Sequence, residues 1–177
     1  MDRKTLTEDT RQQKGKHENK NRWWAAHGVT VKRAKVDFGD YVTDGSNVSI
    51  DTKRSIGEVA MDCGKDHDRF AREMERAREA GYRLVILVEV GAPYRTLDDV
   101  ARWTNDACKR CERYRNLLCD PRANNRCQKY RRKPMQGPTL MRIMRAMEEN
   151  HGCVFEFCHP MHSAMRICEL LGVEYER

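Results

Sequence analysis

Leu84-Val85-Ile86-Leu87-Val88 is the stretch that leaves this chain least freedom. Five consecutive large apolar residues do not alternate, so a strand at 83–89 must be covered on both faces. The run is also far too short to cross a bilayer, which takes about 20 apolar residues. Helical periodicity supplies the cover. Between about 58 and 80, Phe70, Met74 and Ala77 recur at i, i+4, i+7, and Gly81 stops that helix. At 139–150, Leu140, Ile143, Met144 and Met147 share one face. A short strand at 154–158 and a helix at 162–171 follow. Toward the N-terminus, residues 17–27 read as a short helix ended by Gly28. Residues 29–36 read as a strand whose apolar phase slips between Val31 and Ala34, as at a bulge. Residues 1–16 are polar apart from Leu6, and propensity alone reads them as disordered. The fold class is therefore α/β, helices packed on a mixed sheet.

Hydrophobic residues make up 39% and charged residues 34% of the chain, the composition of a charged-surface globular protein without a membrane partner. MDRKTLTEDTRQQ lacks the apolar core of a secretory signal, so the expected compartment is a reducing cytoplasm. There, eight cysteines read as thiols or metal ligands rather than disulfides. The net charge of +7 is concentrated: residues 102–133 hold eleven Lys/Arg against three Asp/Glu, a local +8. Such a segment suits a polyanion, nucleic acid above all, or else is a solvated surface insert.

The stretch DFGDYVTDGSNVSIDTK, 37–53, reads as a hairpin turning at Asp44-Gly45-Ser46-Asn47. Pairing then runs 43 with 48, 41 with 50 and 40 with 51. Asp40 and Asp51 oppose each other with Cβ atoms roughly 4.5–5.5 Å apart. Val48, Ile50 and Thr52 point one way, Ser49, Asp51 and Lys53 the other. Two carboxylates this close repel unless a cation or proton lies between them. Mg²⁺, held by one or two carboxylates with waters retained, suits such a pair. Lys53, about 6–7 Å along the same face, can reach a phosphate oxygen or a water at the site. Metal, water and cation are the requirements of phosphodiester hydrolysis. An exposed strand face with one weak salt bridge is the bland reading of the same residues.

GDY (39–41), IDTK (50–53), DRFAREMERA (68–77) and LVILVE (84–89) together resemble the nuclease domain of XPF-type structure-selective endonucleases, of the PD-(D/E)xK superfamily. The resemblance implies a restriction-endonuclease-like mixed sheet flanked by helices, and a single nuclease domain over 1–177 with a basic Cys-rich insertion at 92–136. It implies a Mg²⁺- or Mn²⁺-dependent DNA endonuclease, acting at branched DNA, with Asp40, Asp51 and the Thr52 carbonyl on the metal and Lys53 handling water and charge. Arg69 and Glu73, on the helix run, would support the site or meet phosphate. Glu8-Asp9-Thr10-Arg11-Gln12 looks like the family's opening Asp-x-Arg-Glu strand, which brings in Asp9 and Arg11. Gln12 stands where the family has an acid. Glu58 sits one residue late for a further acid, with Gly57 at the expected place. Family domains generally pair, so a homodimer is an expected partner besides DNA. The tandem helix-hairpin-helix module of cellular relatives is not found in these 177 residues, so the expectation is a compact stand-alone form from a phage or mobile element, working in a bacterial or phage-infected cytoplasm.

Cys108-x2-Cys111-x7-Cys119-x7-Cys127 offers four thiols in 20 residues, a candidate tetrahedral Zn²⁺ site. Free cysteines in a basic loop are the other reading. With zinc, Arg110, Arg113, Arg115, Arg126, Arg131 and Arg132 would decorate a rigid knob able to grip phosphates. A zinc-stabilised, catalytically inactive nucleic-acid-binding protein on a nuclease scaffold is the alternative function.

Overall fold

The computed structural model describes residues 4–11, 17–124 and 126–176. Along them run β1 (Leu6–Asp9), α1 (Glu18–Ala26), β2 (Val31–Ala34), β3 (Tyr41–Thr43), β4 (Val48–Lys53), α2 (Ile56–Asp62), α3 (His67–Glu79) and β5 (Arg83–Glu89). A 3-10 helix at Leu97–Arg102 and two single-turn helices, α4 (Asp106–Lys109) and α5 (Glu112–Arg115), lead to α6 (Gly137–His151), β6 (Val154–Cys158) and α7 (Ser163–Leu171).

The apolar run sits where its composition requires. The sheet order is β2-β1-β3-β4-β5-β6, and β5 lies inside it, parallel to both β4 and β6. Leu84, Ile86 and Val88 face Phe70, Met74 and Ala77 of α3 and Leu140, Met144 and Met147 of α6. Val85 and Leu87 face the other way, onto Trp24 of α1 and Ile167, Cys168 and Leu171 of α7. Each such buried side chain contributes roughly 1.5–3 kcal/mol of transfer free energy. The Trp24 indole N–H, which burial would otherwise strand, donates to the Ala164 carbonyl at 3.0 Å. The mixed sheet flanked by helices is thus the fold.

Three local expectations change. Residues 6–9 form a central strand, with Leu6 fully buried, because β2 and β3 supply hydrogen-bond partners on both edges that local propensity cannot register. Residues 12–16, part of the segment read as disordered, lie outside the described residues. The helix expected over 58–80 is two helices, broken by a turn at 63–66 where Gly64 and Asp66 N–H both donate to the Met61 carbonyl. A Cβ at Gly64 would stand 2.9 Å from the Ala60 carbonyl oxygen, so the turn closes tightly there. The segment 92–136 also does not stand wholly apart. Val100 and Trp103 are buried in the main core, and the part that leaves the core runs from about 105 to 135.

That part hangs from a narrow neck. Gly137 N–H donates to the Trp103 carbonyl at 3.0 Å. A Cβ on Gly137 would fall 2.2 Å from the Val100 carbonyl oxygen. Among the described residues no helix is long and apolar enough to cross a membrane.

Gly137→Ala should therefore lower unfolding stability by about 2 kcal/mol or more, since backbone must move to admit the methyl group. Gly45→Ala, at a turn with open space but φ +74°, should lose only about 1 kcal/mol. Urea denaturation midpoints of the two variants check the contrast.

Candidate active site

The hairpin forms in the register its turn residues dictate, with Tyr41 opposite Ile50. Beyond that pair the ladder slips by one residue: Asp40 N–H donates to the Ile50 carbonyl at 2.7 Å, not to Asp51 as the regular 40-with-51 pairing expects. Gly39 makes this approach feasible: its φ is +67°, and a Cβ there would lie 2.7 Å from the same carbonyl oxygen. One further step along, the Asp40 carboxylate replaces the backbone as acceptor. Its Oδ2 takes the Thr52 N–H at 2.9 Å and the Thr52 hydroxyl at 2.5 Å. A strand residue's N–H and C=O leave on the same side. The Thr52 carbonyl therefore points toward the edge where Asp40 stands.

Asp51 and Lys53 share a face, as alternation requires. That face is covered by α2 and α3, and both residues are only 9% exposed. Lys53 Nζ lies 2.9 Å from Asp51 Oδ2 and 2.8 Å from Asp62 Oδ2, and 5.2 Å from the centre of the Phe70 ring. Asp62 also accepts from Arg69 at 3.0 Å, and Arg69 approaches Glu73 at 3.8 Å. Burial pushes the Asp51 carboxyl up to about 7; Asp40 and Glu73 add to the rise, and Lys53 works against it. Burial alone would depress the Lys53 ammonium, but Asp51 and Asp62 outweigh it and hold it charged. The Cys63 thiol is pushed up to about 12 by burial and then by Asp62.

Asp40, Asp51, Lys53, Glu73 and Arg69 thus come together. Asp62 joins them, a residue the sequence reading missed. Its signal was Gly64: a break there ends α2 at Asp62 and aims that carboxylate at Lys53. Asp9, Arg11 and Glu58 make local contacts of their own. Asp9 accepts from Arg11 Nε at 2.5 Å and from Arg11 N–H at 3.1 Å, and Arg11 reaches the Val36 carbonyl at 2.6 Å. Asp9 N–H donates to the Asp40 carbonyl, so this pair braces the strand that carries Asp40. Glu58 caps α2: its carboxylate accepts the Arg54 N–H at 2.8 Å while its own N–H donates to Ser55. Gln12 lies outside the described residues.

Among the described residues, no three His, Cys, Asp or Glu side chains are drawn together tightly enough to hold a metal alone. Mg²⁺ does not require that. It is commonly held by one or two carboxylates plus substrate and water oxygens, and Asp40, Asp51 and the Thr52 carbonyl fit such a set.

A groove of ≈ 940 Å³ separates α2 from the Cys-rich segment, lined among others by Gly57, Lys65, Trp103, Arg110, Arg132 and Lys133 but by none of the carboxylate cluster's own side chains. Arg110, Arg113, Arg115, Arg126, Arg131 and Arg132 are all exposed. Trp24 and Trp103 are core residues, while Trp23 stacks on His27 at 3.9 Å.

No family model matches the chain, and no curated protein does. Among solved structures it is similar to XPF from Aeropyrum pernix, with a TM-score of 0.56 and 17% identity over 94% of this chain and 63% of that one. It is likewise similar to the same protein in complex with DNA, with a TM-score of 0.56 and 17% identity over 96% and 64%. The chain thus spans a little under two thirds of these neighbours' length, and it shares their fold.

A buried carboxyl whose folded-state pKa exceeds its unfolded value loses stability as pH rises, here from about 4 to about 7. Asp51→Asn removes that titration. The variant should be more stable than the parent at pH 8, by roughly 1–3 kcal/mol, with the gain shrinking toward pH 5. Thermal unfolding across that range, without divalent ions, measures it.

Proposed function

We propose that the chain is a divalent-metal-dependent DNA endonuclease, acting on branched or otherwise distorted duplexes. The observation that carries this reading is the Asp51 carboxyl, buried beside Asp40 and Glu73 with its pKa raised despite an ammonium at 2.9 Å. A site so short of positive charge is arranged to receive a cation. The XPF-like fold and the basic groove support a DNA substrate.

Asp40 and Asp51, with the Thr52 carbonyl, would hold Mg²⁺ or Mn²⁺. Such an ion supplies positive charge that polarises a phosphate and acidifies water. Lys53, steadied from behind by Asp62, keeps its ammonium on the Asp51 side, where it offsets negative charge building on the phosphate and orients the attacking water. Water oxygen bonds to phosphorus as the bond to one sugar oxygen breaks, and that oxygen leaves with a proton. Arg69, 59% exposed at its side chain, can meet a neighbouring phosphate while tethered to Asp62. The arginines along the groove would hold the flanking duplex. Eight unpaired thiols suit a reducing cytoplasm.

Incubation with branched and linear DNA plus Mg²⁺ or Mn²⁺ should give cleavage. Asp51→Asn and Lys53→Ala should each lower the rate at least about 10²-fold while DNA binding persists. Asp62→Asn should lower kcat by a smaller factor, by loosening Lys53. DNA binding with no cleavage by the parent protein in either metal would return the chain to the non-catalytic reading. Cleavage that both Asp51→Asn and Lys53→Ala leave intact would refute the site.

A further inference from the structure

We propose that Cys108, Cys111, Cys119 and Cys127 bind one Zn²⁺, and that this ion is the core of the segment at 105–135. The segment has little else to fold around. Among its described residues only Cys108, Cys111 and Pro121 are buried, and two of those three are cysteines. Thirty residues without an apolar core do not hold one conformation unless a staple orders them. None of the eight cysteines is in a disulfide, so a bridge is not that staple.

All four cysteines line one small, partly open space of ≈ 20 Å³. That is room for about one water-sized body, which suits a single ion and not an iron–sulfur cluster. No three of them are drawn together tightly enough to hold a metal ion, so binding would have to pull the sulfurs inward. Each is also met by N–H donors. Gln136 Nε2 donates to Cys108 Sγ at 3.3 Å, Asn124 Nδ2 to Cys119 Sγ at 3.5 Å, and the Tyr130 backbone to Cys127 Sγ at 3.3 Å. Cys111 accepts from the backbones of Tyr114 and Arg113. A neutral thiol is a weak acceptor and has no need of such donors, whereas a metal-bound thiolate is stabilised and oriented by them. Gln136 is itself 4% exposed and stands beside the Gly137 neck, so one donor fastens the cluster to the main domain. Arg110 and Arg132, which line the groove, lie two residues or fewer from a ligand or within the loop that the cluster closes onto the neck, so the ion would fix one wall of the groove.

The inference does not rest on the nuclease reading and is tested without an activity assay. The full chain, purified under reductant and stripped with a chelator, is titrated with Co²⁺ and then Zn²⁺. The expected result is one equivalent of Co²⁺ giving a near-ultraviolet sulfur-to-cobalt charge-transfer band and the visible bands of a tetrahedral site. Zn²⁺ should displace it, and four of eight thiols should become slow to react with a thiol reagent. Cys158→Ser should retain the full signal. Cys111→Ser and Cys119→Ser should weaken it, with far-ultraviolet circular dichroism confirming that α6 and the sheet remain. Lack of the charge-transfer band in folded, reduced parent protein would overturn the proposal. So would a band that Cys111→Ser and Cys119→Ser leave unchanged, or a protein that carries iron and labile sulfide instead.

Discussion

One ammonium placed between two buried carboxylates is the interaction around which the candidate site is arranged. Lys53 bridges Asp51 on the sheet and Asp62 on α2. Removing charged groups from water is costly, and a bridge of this kind persists only when the packing around it is fixed by stronger forces. Those forces are apolar: Phe70, whose ring centre lies 5.2 Å from the Lys53 ammonium, packs in one core cluster with Ile86 and Val88 of β5. The charges do not hold the fold together. The fold holds the charges in a place where their sum is wrong for an empty, dry pocket.

That imbalance links geometry to chemistry. Asp40 reaches the cluster from the neighbouring strand and spends one oxygen on Thr52, both its N–H and its hydroxyl. Glu73 adds negative potential from α3. Stability and competence pull in opposite directions here. A sequence selected only for stability would carry a neutral residue in place of Asp51.

Much of this was legible beforehand. The layering followed from Leu84–Val88, because a non-alternating strand has to be covered twice. The pairing of Tyr41 with Ile50 followed from Asp44-Gly45-Ser46-Asn47, whereas the step beyond it, where Asp40 N–H meets the Ile50 carbonyl, did not. What escaped was tertiary. β1 draws its stability from β2 and β3 rather than from its own residues. The interruption at Gly64 was hidden because Phe70, Met74 and Ala77 keep perfect helical spacing after it, and the residues before it, Val59 and Ala60, are apolar enough to be read as the same face. Asp62 was missed for that reason: in one continuous helix it had no reason to face the sheet. Glu58, one residue late for the family's further acid, has its carboxylate on the Arg54 N–H and its own N–H on Ser55, local contacts that the spacing alone did not disclose.

The connection between β5 and β6 is pinched shut at Trp103 and Gly137 before the Cys-rich segment leaves and after it returns. Everything beyond that pinch is an appendage whose size is invisible to the sheet. A lineage carrying this scaffold is free to lengthen, trim or replace the appendage wholesale without renegotiating strand order. The arginine-rich surface beyond the pinch and the carboxylate cluster on the sheet can then drift on separate evolutionary clocks.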